Sequence, residues 1–140
     1  MILFKTIKKA YLYFFLFLLI SIIITFFTPI GVRNYAPIVF GLGCFPIFGI
    51  NSFGYLEKFS SELRQNEPEI FKKNEVFYGY FKGKHIMIQN VFDNDDFKNI
   101  KDKNTFDLYL KMKASSKLMI LSFLLVIIFS ILVIQTKPFL

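Results

Sequence analysis

The chain has no tryptophan, one cysteine and one histidine among its 140 residues. A lone Cys cannot form an internal disulfide, which excludes a disulfide-stapled scaffold. Cys44 and His85 also leave no set of nitrogen and sulfur ligands for a structural metal. Charge is scarce at 19% of residues, and three long runs, 10–32, 34–56 and 118–136, carry none. Disorder is excluded as well, because it needs low hydrophobicity. This chain is 54% hydrophobic, has 20 Phe, and has a mean hydropathy of +0.49. A soluble domain of this size would spread its apolar residues more evenly. The pattern is that of an integral membrane protein.

A membrane helix needs about 20 mostly apolar residues to cross roughly 30 Å of hydrocarbon. Residues 10–28 read AYLYFFLFLLISIIITFFT. The run is apolar on every face, unlike an amphipathic soluble helix. It is too long for the core of a signal peptide, and no A-x-A-like site follows it. An uncleaved anchor fits it. Residues 118–134 are equally apolar. Residues 35–56 are weaker, with Pro37, Pro46, Asn51, Ser52 and glycines at 41, 43, 49 and 54. This segment reads as a kinked span packed on the others, a re-entrant segment or an interfacial one. Small residues in it would let helix backbones approach closely.

Basic residues choose among these. With three spans, one side holds Lys5, Lys8, Lys9, Lys58, Arg64, Lys72, Lys103, Lys111, Lys113 and Lys117, and the other holds Arg33 and Lys137. The positive-inside rule then puts the N-terminus and the middle region in the cytoplasm. Two spans would leave no inside bias, or a reversed one. The expected fold is a membrane all-α protein of three transmembrane helices, the second weak, with a small cytoplasmic α+β insertion. Its parts are a basic tail 1–9, spans 10–28, 35–56 and 118–134, a cytoplasmic region 57–117 and an external tail 135–140. The residues that set topology are Lys5, Lys8, Lys9, Lys111, Lys113 and Lys117.

All 10 acidic residues lie within 57–117, alongside twelve basic ones. That balance lacks the dense basic stripe of a nucleic-acid binder. Juxtamembrane lysines instead suit anionic lipid headgroups. Phe53, Leu56, Phe59 and Leu63 recur at helical spacing, which predicts that the second span continues as an amphipathic helix to about Arg64. Asn66-Glu67-Pro68-Glu69 predicts a new helix start. Residues 76–81 and 85–89 around Gly83 predict a hairpin that must lean on other elements. Asn104 is the expected N-cap of the last helix, and Asp107 and Lys111 form an i,i+4 pair in the favourable order.

Chemistry-bearing motifs are sparse. Asp93-Asn94-Asp95-Asp96 starts like a calcium loop. The sixth and twelfth positions then hold Lys98 and Asn104, where a Gly and a Glu are needed. The cluster reads as a solvated turn capping a short helix. The chain contains no phosphate loop, no G-x-S-x-G and no H-E-x-x-H. No catalytic residue, cofactor or metal site is expected.

Leu63-Arg64, Pro68-Glu69-Ile70-Phe71, Asp95-Asp96-Phe97-Lys98-Asn99-Ile100 and the basic stretch 111–117 occur in an order that resembles small bacterial inner-membrane proteins similar to universal stress protein B. The resemblance covers about residues 53–134. The first span would be an N-terminal addition, and lysines stand where that family has arginines before its last span. The resemblance implies a stress-related inner-membrane protein and carries over no catalytic residue. The expected function is therefore non-enzymatic: a stress-related or partner-binding protein of the bacterial inner membrane. The alternative is a toxin or bacteriocin immunity protein, since those are often small, basic and multi-spanning. Expected partners are the lipid bilayer, anionic headgroups, a protein of unknown identity and, as a homo-oligomer, further copies of the chain.

Overall fold

Thr6 is extended, and a helix follows from Ile7 to Phe27 (α1). Lys8 and Lys9 therefore sit in the first turn of α1, not in a free tail. The computed structural model describes residues 2–77 and 83–135. After α1 come α2 (Ile30–Arg33), α3 (Ala36–Asn66), α4 (Pro68–Asn74), β1 (Glu75–Phe77), β2 (Lys84–Ile86), α5 (Asn90–Asp93), a 3-10 turn (Asp95–Asn99) and α6 (Lys103–Gln135). Three helices are long and apolar enough to cross a membrane, and the one containing residues 35–56 is the least apolar of them. At 1.5 Å per residue, α3 and α6 are about 46 and 50 Å long, well beyond a 30 Å hydrocarbon layer.

The weak segment is one continuous helix, neither re-entrant nor broken. It packs along α6 on one side and against α1 on the other. Its buried residues Ala36, Phe40, Cys44, Phe48 and Ser52 recur every four positions, and Phe59 and Leu63 continue the row. Phe53, expected on that face, points outward and is 60% exposed. Tyr55 takes the inward place instead. Pro46 removes one backbone donor inside the helix. Near that gap, the Tyr13 hydroxyl of α1 donates to the Gly43 carbonyl at 3.0 Å. The carbonyl that loses its donor to Pro46 is that of Leu42, the residue before Gly43.

Gly43 also lies against the Phe17 ring of α1. A Cβ there would fall 2.2 Å from a ring carbon of Phe17, whereas one at Gly49 would meet only the Met119 sulfur at 3.7 Å. Gly43→Ala should therefore force the Phe17 ring to move, at a cost of about 1–3 kcal/mol. Gly49→Ala should be close to neutral. Denaturant unfolding of both variants in the same detergent checks this, and equal stabilities would contradict the close approach.

The chain between α3 and α6 forms a small polar module. Glu67 ends α3 and precedes Pro68, the first residue of α4, as the sequence suggests. β1 and β2 pair antiparallel with Val76 opposite His85. β1 is described as far as Phe77, and residues 78–82 of the expected hairpin lie outside the described residues. Gly83 has φ +64°, a left-handed conformation open to glycine without strain. The expected second strand stops at Ile86, because Asn90 and Val91 N–H turn back to the Met87 and Ile88 carbonyls. The hairpin does lean on α3: the Ile86 N–H donates to Ser60 Oγ at 3.1 Å. Phe59 and Leu63 of α3, Phe71, Ile86, Val91, Phe97, and Tyr109 and Met112 of α6 close one apolar core.

The N-cap of α6 lies two residues earlier than expected. Asp102, not Asn104, is the N-cap: its carbonyl accepts from the Phe106 N–H, and its carboxylate accepts from the Thr105 N–H (2.8 Å) and hydroxyl (2.7 Å). A carboxylate is also favoured at this positive end of the helix.

Candidate functional site

Two apolar cores stack along α3 and α6. One lies among the three long helices, around Phe14, Phe40, Cys44, Phe48, Leu118 and Phe129. The other is the core of the polar module. A belt of polar side chains separates them. Asn51 Nδ2 donates to Ser115 Oγ at 2.8 Å, and the Ser52 and Ser116 hydroxyls share a hydrogen bond at 2.6 Å. All four side chains are buried. Each helix thus contributes two adjacent polar residues, and the doublets meet face to face.

Asn51 has a second task. Its Oδ1 accepts from the backbone N–H of Leu3 (2.9 Å) and of Phe4 (3.1 Å), and the Tyr55 hydroxyl donates to the Phe4 carbonyl at 2.5 Å. The Phe4 ring lies against Phe48 and Tyr13. The segment before α1 is therefore a strap fastened across α3. This fixes Lys5 beside the belt.

Next to the strap is an open cleft of about 780 Å³. Its rim carries Lys5 from the strap, Glu57, Lys58 and Ser61 from α3, and Lys111 from α6, with Ile2 and Leu108 as its apolar part. Lys111 donates to Asp107 at 2.5 Å, the i,i+4 pair expected from the sequence. That bond holds the Lys111 ammonium above its ordinary pKa, against a smaller opposing effect of burial. Lys113 lies over the Tyr109 ring at 5.6 Å from its centre. Of the six lysines expected to set topology, the cleft gathers Lys5 and Lys111. Lys8, Lys9 and Lys117 are exposed elsewhere.

Arg33, counted in the sequence as a loop charge, is 1% exposed. Its guanidinium donates to the Leu132 carbonyl at 3.3 Å and the Val133 carbonyl at 2.8 Å, in the last turn of α6. The negative end of a helix dipole favours a cation there. Lys137, the other basic residue counted on that side, and most of the tail 135–140 lie outside the described residues.

Other expected positions fall where the sequence put them. Cys44 is buried in the apolar core, and His85 pairs with Val76 in the hairpin. Among the described residues there is no group of three metal-ligating side chains. Asn94 caps the 3-10 turn through its own Oδ1, which accepts from the Asp96 N–H at 2.9 Å. Asp96 accepts from Lys73 at 2.9 Å and Asn74 at 3.3 Å, and these bonds hold its carboxyl below its ordinary value. The Thr105 bonds do the same for Asp102.

A carboxyl whose folded pKa is depressed stabilises the fold above its unfolded value and ceases to as the pH falls through the folded value. The module should therefore keep the first turn of α6 and the Asp96 contacts above about pH 4, and lose them progressively below it. Amide exchange at residues 103–106, followed from pH 6 to pH 2, reads this directly. Asp102→Asn should flatten the profile there, and an unchanged profile would remove Asp102 from the account.

The belt, the strap and the Arg33 cap were not found from the sequence. The adjacent polar pairs Asn51-Ser52 and Ser115-Ser116, at corresponding ends of two apolar runs, were the available signal. Comparison with family models, curated proteins and solved structures finds no match to this chain.

Proposed function

We propose that this chain is a multi-pass protein of the bacterial inner membrane, with its N-terminus and the 57–117 module in the cytoplasm. In this reading it acts without catalysis, by linking the module to the state of the bilayer or of a partner in it. One observation carries the reading: α3 and α6 each pass unbroken from the apolar bundle into the module. The module's core is built on the same two helices, through Phe59, Leu63, Tyr109 and Met112. A helix that tilts in the bilayer must therefore move the module. A tilt change of about 10° displaces the end of a 20 Å projection by about 3–4 Å. The buried polar groups of the belt are spent on holding helices together, which supports a coupling role over a reactive one. The resemblance at residues 63–71 and 95–100 adds a stress-related setting.

Two measurements test the proposal. With Cys44 replaced by Ser, a membrane-impermeant maleimide on intact spheroplasts should label Val32→Cys and spare Glu69→Cys. Labelling of Glu69→Cys would reverse the orientation. Amide exchange of the module should then differ severalfold between bilayers of short-chain and long-chain lipids, most clearly at Ile86, Val91 and Phe97. Exchange independent of bilayer thickness would end the coupling reading while leaving the orientation intact.

A further inference from the structure

The cleft beside the strap lies at the level where α3 leaves its uncharged run, which ends at residue 56. Lys58 and Ser61 sit about 3–8 Å beyond that point along the helix. Lys111 lies about 10 Å beyond the start of the uncharged run of α6 and lines the same cleft. This is the depth of lipid headgroups, which occupy some 5–8 Å on each side of the hydrocarbon. Three lysines reach it from three separate parts of the chain. Lys5 is held there by the Asn51 and Tyr55 bonds to Leu3 and Phe4, so it is not a charge on a loose tail. Neither Lys5 nor Lys58 forms an ion pair among the described residues.

We infer that the cleft binds one anionic phospholipid, its phosphodiester between Lys5, Lys58 and Lys111. Three lysines set against Glu57 and Asp107 leave one net positive charge, which matches a monoanionic phosphodiester better than a dianionic phosphomonoester. The volume is within the usual range for a ligand pocket. The inference rests on the membrane-spanning reading, which the maleimide labelling tests by itself.

The experiment uses the full chain, purified in mild detergent and examined by native mass spectrometry with added phosphatidylglycerol or phosphatidylcholine. One phosphatidylglycerol per chain should be retained in preference to phosphatidylcholine. Lys5→Gln with Lys58→Gln should weaken that retention about 30-fold, at roughly a tenfold-or-less loss per lysine. Lys8→Gln with Lys9→Gln removes the same charge from the same surface outside the cleft, and should weaken retention less than about threefold. All four lysines are exposed, and thermal unfolding of both double variants confirms that each is folded. Equal losses in the two variants would show diffuse surface attraction and overturn the site. Equal retention of the two lipids would also overturn it. Displacement of the lipid by equimolar inorganic phosphate or glycerol 3-phosphate would make it a site for soluble phosphates instead.

Discussion

Arg33→Leu should destabilise the protein by about 3 kcal/mol, the largest effect expected from any single substitution in the bundle. The guanidinium is buried and donates to two carbonyls of the last turn of α6. Among the described residues those carbonyls have no donor further along the helix. Hydrogen bonds from a charged donor are each worth about 1.5–3 kcal/mol, and the helix dipole adds to them. Leucine supplies neither. The last turn of α6 should fray, with faster amide exchange over residues 131–135. Arg33→Lys should recover less than half of the loss, because an ammonium cannot reproduce the planar fork. Orientation should not change, since the substitution removes a basic residue from the side that has few. Denaturant unfolding in detergent gives the energy, and a change under about 0.5 kcal/mol would refute the cap.

Asn51→Leu should cost nearly as much, for a different reason. It leaves the Leu3 and Phe4 N–H groups and the Ser115 hydroxyl without their partner. Unsatisfied buried groups cost about 1–3 kcal/mol each, and the part-buried strap lowers the total to about 3 kcal/mol. Ser115→Ala removes only one of these bonds and should cost about 1 kcal/mol. The substitution to leucine also makes α3 more apolar, so membrane insertion should improve while the fold weakens. Exchange at the Leu3 and Phe4 amides separates the two effects. They should become unprotected in Asn51→Leu and stay protected in Ser115→Ala. Protection in both variants would mean that the strap does not depend on Asn51.

Much of the helical framework could be read from the sequence, because apolar runs and caps are local signals. The three long helices, the Pro68 start, a hairpin around Gly83 and the Asp107–Lys111 bond all rest on spacings of a few residues. What escaped was non-local. Asn51 looks like a defect in an apolar run until Ser115, 64 residues away, is placed opposite it. Gly43 and Gly49 are equivalent as letters, and only the Phe17 ring distinguishes them. Phe53 fits a helical stripe, but large apolar residues also occupy the exposed faces of these helices, so periodicity alone does not choose the buried face. Asp102 and Asn104 are both residue types that cap helices, and Glu67 fixes the chain just ahead of the earlier one, where its Oε1 accepts from the Lys101 N–H at 2.8 Å.

The Arg33 cap also has a consequence for biosynthesis. Its acceptors, Leu132 and Val133, lie 99 and 100 residues further along the chain. At about 5–20 residues per second, Arg33 stays hydrated for roughly 5–20 s after it is made, until the end of α6 arrives. During that interval α1 and α3 can associate, but the guanidinium lacks both of these acceptors. Arrival of the last turn of α6 ends this delay. A nascent chain cut short before residue 132 never reaches that point.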